Sequence, residues 1–241
     1  MLAVHSGSRS ITFWLNIALT VCFCQSAASQ ENPSPQNEIW PEVDVYVKIN
    51  QKWRLYFLAD SSREGDSKTG LEAHVGAHVD YRVNDKWSLR AGYRYGFSLN
   101  QDDDYNEQRI LLEQTLRLPL PAGLLLSDRN REDFRLLSGD LSVRYRNRVM
   151  LEREFAIRRF KFTPYASGEI YYDSRFRTFN RNRMIAGVQL PLGLGLAPLR
   201  EHLAILPRRK LSLDLYYARQ NDSRSEPNHV NALGVALAFS F

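Results

Sequence analysis

The sequence predicts an all-β protein: a transmembrane, antiparallel, up-and-down β-barrel of about twelve strands, with ten as the alternative, made behind a cleaved signal peptide. Three observations predict it. Apolar and polar residues alternate almost without interruption from Trp40 to the last residue, the two-residue period of a sheet with unlike faces. The alternating runs are longer than ordinary strands of about 5–6 residues and reach the about 9–11 residues that cross a bilayer at a tilt. No internal run is long and apolar enough for a transmembrane helix. The mean hydropathy of -0.41 suits barrel strands, whose two faces average out as polar.

Residues 1–29 form a separate object. Arg9 closes a short n-region, residues 11–24 are apolar, and "QSAASQEN" supplies small residues for cleavage near Ala28 or Ser29. This is a Sec-type signal peptide, too short and wrongly flanked for a stable anchor. Cys22 and Cys24 both lie inside it, so the exported chain is expected to hold neither a disulfide nor a cysteine metal site. Val21 and Phe23, which precede them, do not suit lipidation. Residues 30–39, with Pro33 and Pro35, read as a flexible leader, and residues 40–241 as one barrel domain.

The clearest strand is residues 71–83. Leu71, Ala73, Val75, Ala77, Val79, Tyr81 and Val83 share one face, and Glu72, His74, Gly76, His78, Asp80 and Arg82 the other. Residues 87–99 repeat the pattern, and "NDK" joins the two as a tight hairpin turn. Further strands are expected near 42–49, 53–62, 106–118, 124–137, 141–156, 162–173, 180–190, 210–220 and 229–241. That makes eleven, whereas single-chain bacterial barrels have even numbers. Twelve follows if residues 30–41 or 191–209 hide a strand, ten if 42–49 is not a full one. Between Pro198 and Pro207, "LREHLAIL" is a candidate short helix. "NQK", "NDK" and "LPLPAG" are short turns, while 63–70, 100–105, 174–180 and 221–228 are loop-like, the arrangement of outer-membrane barrels. The final strand, "VNALGVALAFSF", alternates up to Phe241 and looks like their assembly signal. The expected location is therefore the outer membrane of a Gram-negative cell. The expected partners are outer-membrane lipid, lipopolysaccharide and the barrel-assembly machinery, reached through the strand ending in Phe241.

Hairpin arithmetic tests which face is inside. With Val83 opposite Trp87, Asp80 meets Arg90, Gly76 meets Arg94, His78 meets Gly92 and His74 meets Gly96. With Leu118 opposite Leu124, Glu113 meets Arg129, Arg109 meets Asp133 and Glu107 meets Arg135. Around a turn at 157–160, Arg148 meets Glu169 and Arg144 meets Asp173. Opposed residues sit about 4.5–5.5 Å apart at Cβ, close enough to pair. These residues are expected to form an ion-pair ladder in the lumen, nearly complete because an unpaired dehydrated charge is costly. A barrel near this size holds side chains or one small ligand. The expected role is a structural barrel plugged by its ion pairs, or a narrow pore with a charged eyelet. Trp53, Trp87, Tyr81 and Phe162 suit one interfacial aromatic girdle, and Tyr95, Phe97 and Tyr172 the other.

The alternative is an enzyme modifying lipid or lipopolysaccharide. Outer-membrane lipid hydrolases use an H-x-S pair, but His74, His78, His202 and His229 are followed two residues on by Gly76, Asp80, Ala204 and Asn231. His74 and His78 share a face but lie about 13 Å apart along a strand, too far to bind one metal; they read as lumen fillers. Asp102, Asp103 and Asp104 read as a solvated loop rather than a hard-cation site. No Gly-rich phosphate loop occurs. A net charge of +5, from 32 Lys and Arg against 27 Asp and Glu, is too balanced for nucleic-acid binding. No catalytic, cofactor or metal residue is assigned.

"WPEVDVYVKINQKWRLYFLADSS", "VDYRVNDKWSLRAGYRYGF", "VRYRNRVMLE", "FTPYASGEIYYD" and "NRNRMIAGVQL" follow one another in an order that resembles the family called domain of unknown function 2490, across roughly residues 40–241. The resemblance implies an outer-membrane β-barrel without an established activity, and carries over no catalytic residues. The stretch 191–209 departs from the family's usual short turn.

Overall fold

Residues 36–63, 72–99, 105–137, 139–158, 160–192, 210–224 and 228–241 are described by a computed structural model. The signal-peptide segment, the Asp102–Asp104 loop and the candidate helix before Pro207 lie outside them.

The alternating runs become β1 (Gln36–Lys48), β2 (Trp53–Asp60), β3 (Glu72–Arg82), β4 (Trp87–Ser98), β5 (Asn106–Pro119), β6 (Leu124–Leu137), β7 (Asp140–Arg153), β8 (Phe155–Ile157), β9 (Phe160–Asp173), β10 (Thr178–Pro191), β11 (Lys210–Asp222) and β12 (His229–Ser240). Among the described residues there is no α-helix, only a 3-10 turn at Pro121–Gly123. Neighbours in sequence pair antiparallel, β7 pairs with β9, and β9 with β10. The ring closes where β12 lies parallel to β1, from Gln36 opposite Val230 to Tyr46 opposite Ser240.

The barrel therefore has eleven strands, not twelve or ten. The even-number rule presumes that first and last strands run opposite ways. Here a parallel seam closes the sheet, so no hidden strand is required. β1 is a full strand that starts at Gln36, inside the expected leader. The expected strand 141–156 divides at Glu154: β8 leaves the ring and makes a small outside hairpin with the start of β9, reversing at Arg158 with φ 56°.

Asn50 and Asn84 explain the four-residue turns between β1 and β2 and between β3 and β4. Each side-chain Oδ1 accepts from the backbone N–H groups two and three residues on, at 2.8–2.9 Å, which folds the backbone back without a glycine. These turns, Pro121–Gly123 and the end of β12 mark the turn end of the barrel; Ser61–Arg63 and Ser174–Arg177 lie at the opposite, loop end.

The β5–β6 register differs from the sequence reading by two residues. Ala122 and Gly123 both take positive φ, 61° and 71°, and centre the reversal on Ala122, so Leu118 faces Leu126 rather than Leu124. A two-residue shift changes partners but not faces, because side chains alternate with period two.

The molecule is built inside out. Val43, Phe57, Tyr93, Ile110, Phe134, Val149, Ile170, Met184 and Leu233 point outward and are exposed, while Arg109, Arg135, Arg144, Glu107, Asp133 and Asp173 point inward at no more than 1% exposure. A small apolar cluster of Trp40, Ala218, Val230 and Ala232 lines the inner face of the seam.

Candidate functional site

The inward charges run in rows across the strands. One row reads Arg54, Asp80, Arg90, Glu113, Arg131 from β2 to β6, each opposite the next. Its signs alternate. Arg54 and Arg90 reach Asp80 at 2.5 and 2.6 Å, and Arg131 reaches Glu113 at 2.5 Å. The neighbouring β6–β7 pair breaks that rule, since Arg129 faces Arg148 and Arg131 faces Arg146. Like charges opposed across strands repel, and two carboxylates offset this. Glu113 lies 3.8 Å from Arg129 and binds Arg131; Glu169 binds Arg129 at 2.7 Å and Arg146 at 3.0 Å. Arg148 stands opposite Glu169.

Toward the loop end much of the lumen is filled. Glu107 binds Arg109 and Arg135, each at 2.7 Å, and accepts from the Tyr105 hydroxyl at 2.6 Å. Asp173 binds Arg135, Arg144 and Arg175 at 3.2, 3.0 and 2.8 Å. Arg181 meets Asp222 at 2.6 Å. Arg63, just past β2, turns into the lumen: its guanidinium binds Glu38 at 2.8 Å, and its carbonyl accepts from Arg183 and Gln220 on the far wall. His74 lies 3.3 Å from Asp60, and His78 stacks on Tyr56 at 4.9 Å. A Cβ at Gly96 would meet the His74 ring at 2.8 Å, and one at Gly92 would overlap His78, so these glycines make room for the imidazoles across the hairpin.

From the turn end the lumen opens into a cavity of about 830 Å³ that reaches along β1 and β2 as far as Trp40, Asp60, Ser61 and Ser62. Arg90, Arg129, Arg131, Arg146 and Arg148 form one wall on β4, β6 and β7; Glu42, Asp44 and Asp214 on β1 and β11 form another. Tyr56 donates to Asp44 at 2.8 Å, and Tyr165 to Asp214 at 3.0 Å. The five arginines outnumber Glu113 and Glu169, the acids that stand among them in the lining, which favours an anion on that side of the cavity. Among the described residues, no group of three or more His, Cys, Asp and Glu side chains is placed to hold a metal.

A family model for a protein of unknown function, DUF2490, matches residues 37–231, from the second residue of β1 to the third of β12. The chain belongs to the DUF2490 family. The matched segment holds all of β2–β11, nearly all of β1 and the first three residues of β12. A comparison with curated proteins finds no match.

In this DUF2490 barrel the sequence-selected residues all lie on inward faces, with partners partly different from those assigned. Asp80 is opposite Arg90, and Arg144 opposite Asp173. The register shift corrects the β5–β6 pairs. Glu113 now faces Arg131, Arg109 faces Arg135 and Asp133 faces Leu111. The assigned partners still meet along diagonals: Glu113–Arg129 at 3.8 Å, Arg109–Asp133 at 3.9 Å and Glu107–Arg135 at 2.7 Å. Sequence reasoning missed Arg131 and Arg146. In the assumed register Arg131 would have faced Leu111. Arg146 faces Tyr171, on whose ring it rests at 4.6 Å. Their signal was parity alone, two residues from Arg129 and Arg148 on the same strands.

Proposed function

We propose that this protein is an outer-membrane β-barrel closed by its own side chains, a structural barrel with a charged, ion-paired lumen rather than an open pore. One observation carries the reading: exposed apolar residues cover the outside while arginines and carboxylates at no more than 1% exposure fill the loop half of the inside beside β5–β9. That distribution suits a barrel solvated by lipid. Aromatic pairs near both ends support it, with Trp53 on Tyr81 at 4.6 Å at the turn end and Tyr172 against Phe179 at 5.4 Å at the loop end. Tyrosine and tryptophan favour the level where lipid meets water. In this reading the chain is exported through its signal peptide, the assembly machinery takes the strand ending in Phe241, and the vestibule opens to the periplasm.

Two measurements test it. Cell fractionation is expected to place the protein in the outer membrane, running faster on gels before heating than after; a soluble periplasmic protein refutes the proposal. Purified, refolded protein in planar bilayers is expected to show no discrete openings, because Glu107, Arg135, Arg144 and Asp173, at no more than 1% exposure, fill the loop half beside β5–β9, and Arg63 crosses the part beside β2. Stepwise conductance would turn the reading to a narrow pore.

A further inference from the structure

The outer face of β5–β7 carries a polar island. Gln114, Asp128, Asn130, Glu132, Tyr145 and Asn147 all point outward from the middle of β5, β6 and β7. They occupy three adjoining rows: Leu112–Glu132–Tyr145, Gln114–Asn130–Asn147 and Leu116–Asp128–Val149. Apolar rows bound them on both sides, Leu118–Leu126–Leu151 toward the turn end and Ile110–Phe134–Val143 toward the loop end. The island is therefore not an interfacial fringe but an interruption of the apolar belt.

Part of it is satisfied internally. The Asn147 amide donates to Asp128 at 2.7 Å and to Asn130 at 3.0 Å, and the Tyr145 hydroxyl donates to Asn130 at 2.5 Å. Gln114 and Glu132 are exposed and make no side-chain bond among the described residues. Lipid tails offer no hydrogen-bond partner, and unsatisfied polar groups at that depth are expensive. Whatever covers the island must itself sit in the bilayer and offer donors to two carboxylates.

This same face supplies such donors. Beside the island lies a cleft of about 600 Å³, bordered by Asn84, Asp85 and Lys86 of the β3–β4 turn as well as by Gln114, Asp128 and Asn130. Acids and a base with amides thus stand side by side on one surface, the condition for self-complementarity about a two-fold axis. We infer that this face is the interface of a symmetric dimer of the chain, the Asp128 and Glu132 carboxylates of each copy meeting the amide and Lys86 donors of the other. The inference rests on the outer-membrane reading, since in water the island would need no cover.

The test is the mass of the full chain extracted from outer membranes in mild detergent, by light scattering with the detergent subtracted. Twice the mass of the exported chain, residues 30–241, is expected. Glu132→Lys leaves the hydrogen-bonded cluster intact but sets a cation against Lys86 of the other copy; at least about a tenfold loss of self-association is expected, with the heat-dependent gel shift unchanged. Asp128→Leu/Asn130→Leu/Glu132→Leu, which suits lipid, is expected to be a folded monomer. A wild-type monomer, a one-to-one complex with a different polypeptide, or a dimer that survives both variants overturns the inference while leaving the outer-membrane reading intact. Protein found in the soluble fraction overturns both.

Discussion

Replacing Glu107 by Ala is expected to destabilise the barrel by about 3–5 kcal/mol, the loss typical when one partner of a buried ion pair is removed. Glu107 is 1% exposed and is the shared carboxylate of Arg109 and Arg135, themselves at 1% and 0%. Its removal leaves two guanidiniums and the Tyr105 hydroxyl facing a gap that water does not reach. Urea unfolding of protein refolded into vesicles, followed by tryptophan fluorescence, measures the loss. Glu107→Gln should lose less, since the amide oxygen still accepts one bond. The vestibule supplies the comparison. Glu113 joins three arginines, Arg90, Arg129 and Arg131, but it lines the open cavity. Water can solvate Arg131 when the carboxylate is gone, so Glu113→Ala is expected to lose only about 1–3 kcal/mol. Adding Arg131→Ala should recover part of that, because the pair is coupled. Equal losses at Glu107 and Glu113 would mean that the two halves of the lumen are equally wet, and the closed-barrel proposal would lose its basis.

Which residues face inward was legible in the sequence because parity along a strand survives errors of register. Asp80, Arg109, Asp133 and Glu169 could be placed inside without knowing their partners. Partner identity was legible only where a turn announced its own centre. Asn84 does so, through an amide-capped reversal that fixes Asp80 opposite Arg90. "LPLPAG" does not, because which residues take positive φ decides the centre, and Ala122 is an uncommon choice for that conformation. Strand number was misjudged for a different reason. Alternation gave eleven runs, and a rule about even numbers was set against that count. A parallel β1–β12 seam leaves no trace in either strand's own pattern, since inward and outward residues alternate alike for either direction of pairing. Packing across the lumen was out of reach too: Arg63 lies just beyond the end of β2, and its contacts with Gln220 on β11 and Arg183 on β10 reach strands three and four places around the ring.

That seam carries the other large expected effect: Gly234→Val should prevent assembly or destabilise the barrel by about 3 kcal/mol, the upper end for overpacking. The inward residues of β12 are small, Ala232, Gly234, Ala236, Ala238 and Ser240 in turn. They lie between Tyr216 on β11 and Trp40 and Tyr46 on β1. Tyr216 is opposite both Gly187 and Gly234, and a Cβ at Gly234 would overlap its ring, while one at Gly187 would meet Tyr216 Cβ at 2.7 Å. The tyrosine thus covers two glycines on flanking strands. A side chain at Gly234 would drive it toward Trp40, directly across the parallel pair that closes the ring. Tyr216→Ala in the Gly234→Val background should restore assembly, because the obstruction is the ring. Gly168→Val is the control: no atom lies within 4 Å of its Cβ position, and valine favours a strand more than glycine does, so no loss is expected. The gel shift on heating reports assembly, and the urea midpoint reports stability. If Gly168→Val and Gly234→Val fail alike, backbone freedom rather than room for Tyr216 is what these glycines provide, and the account of the seam is wrong.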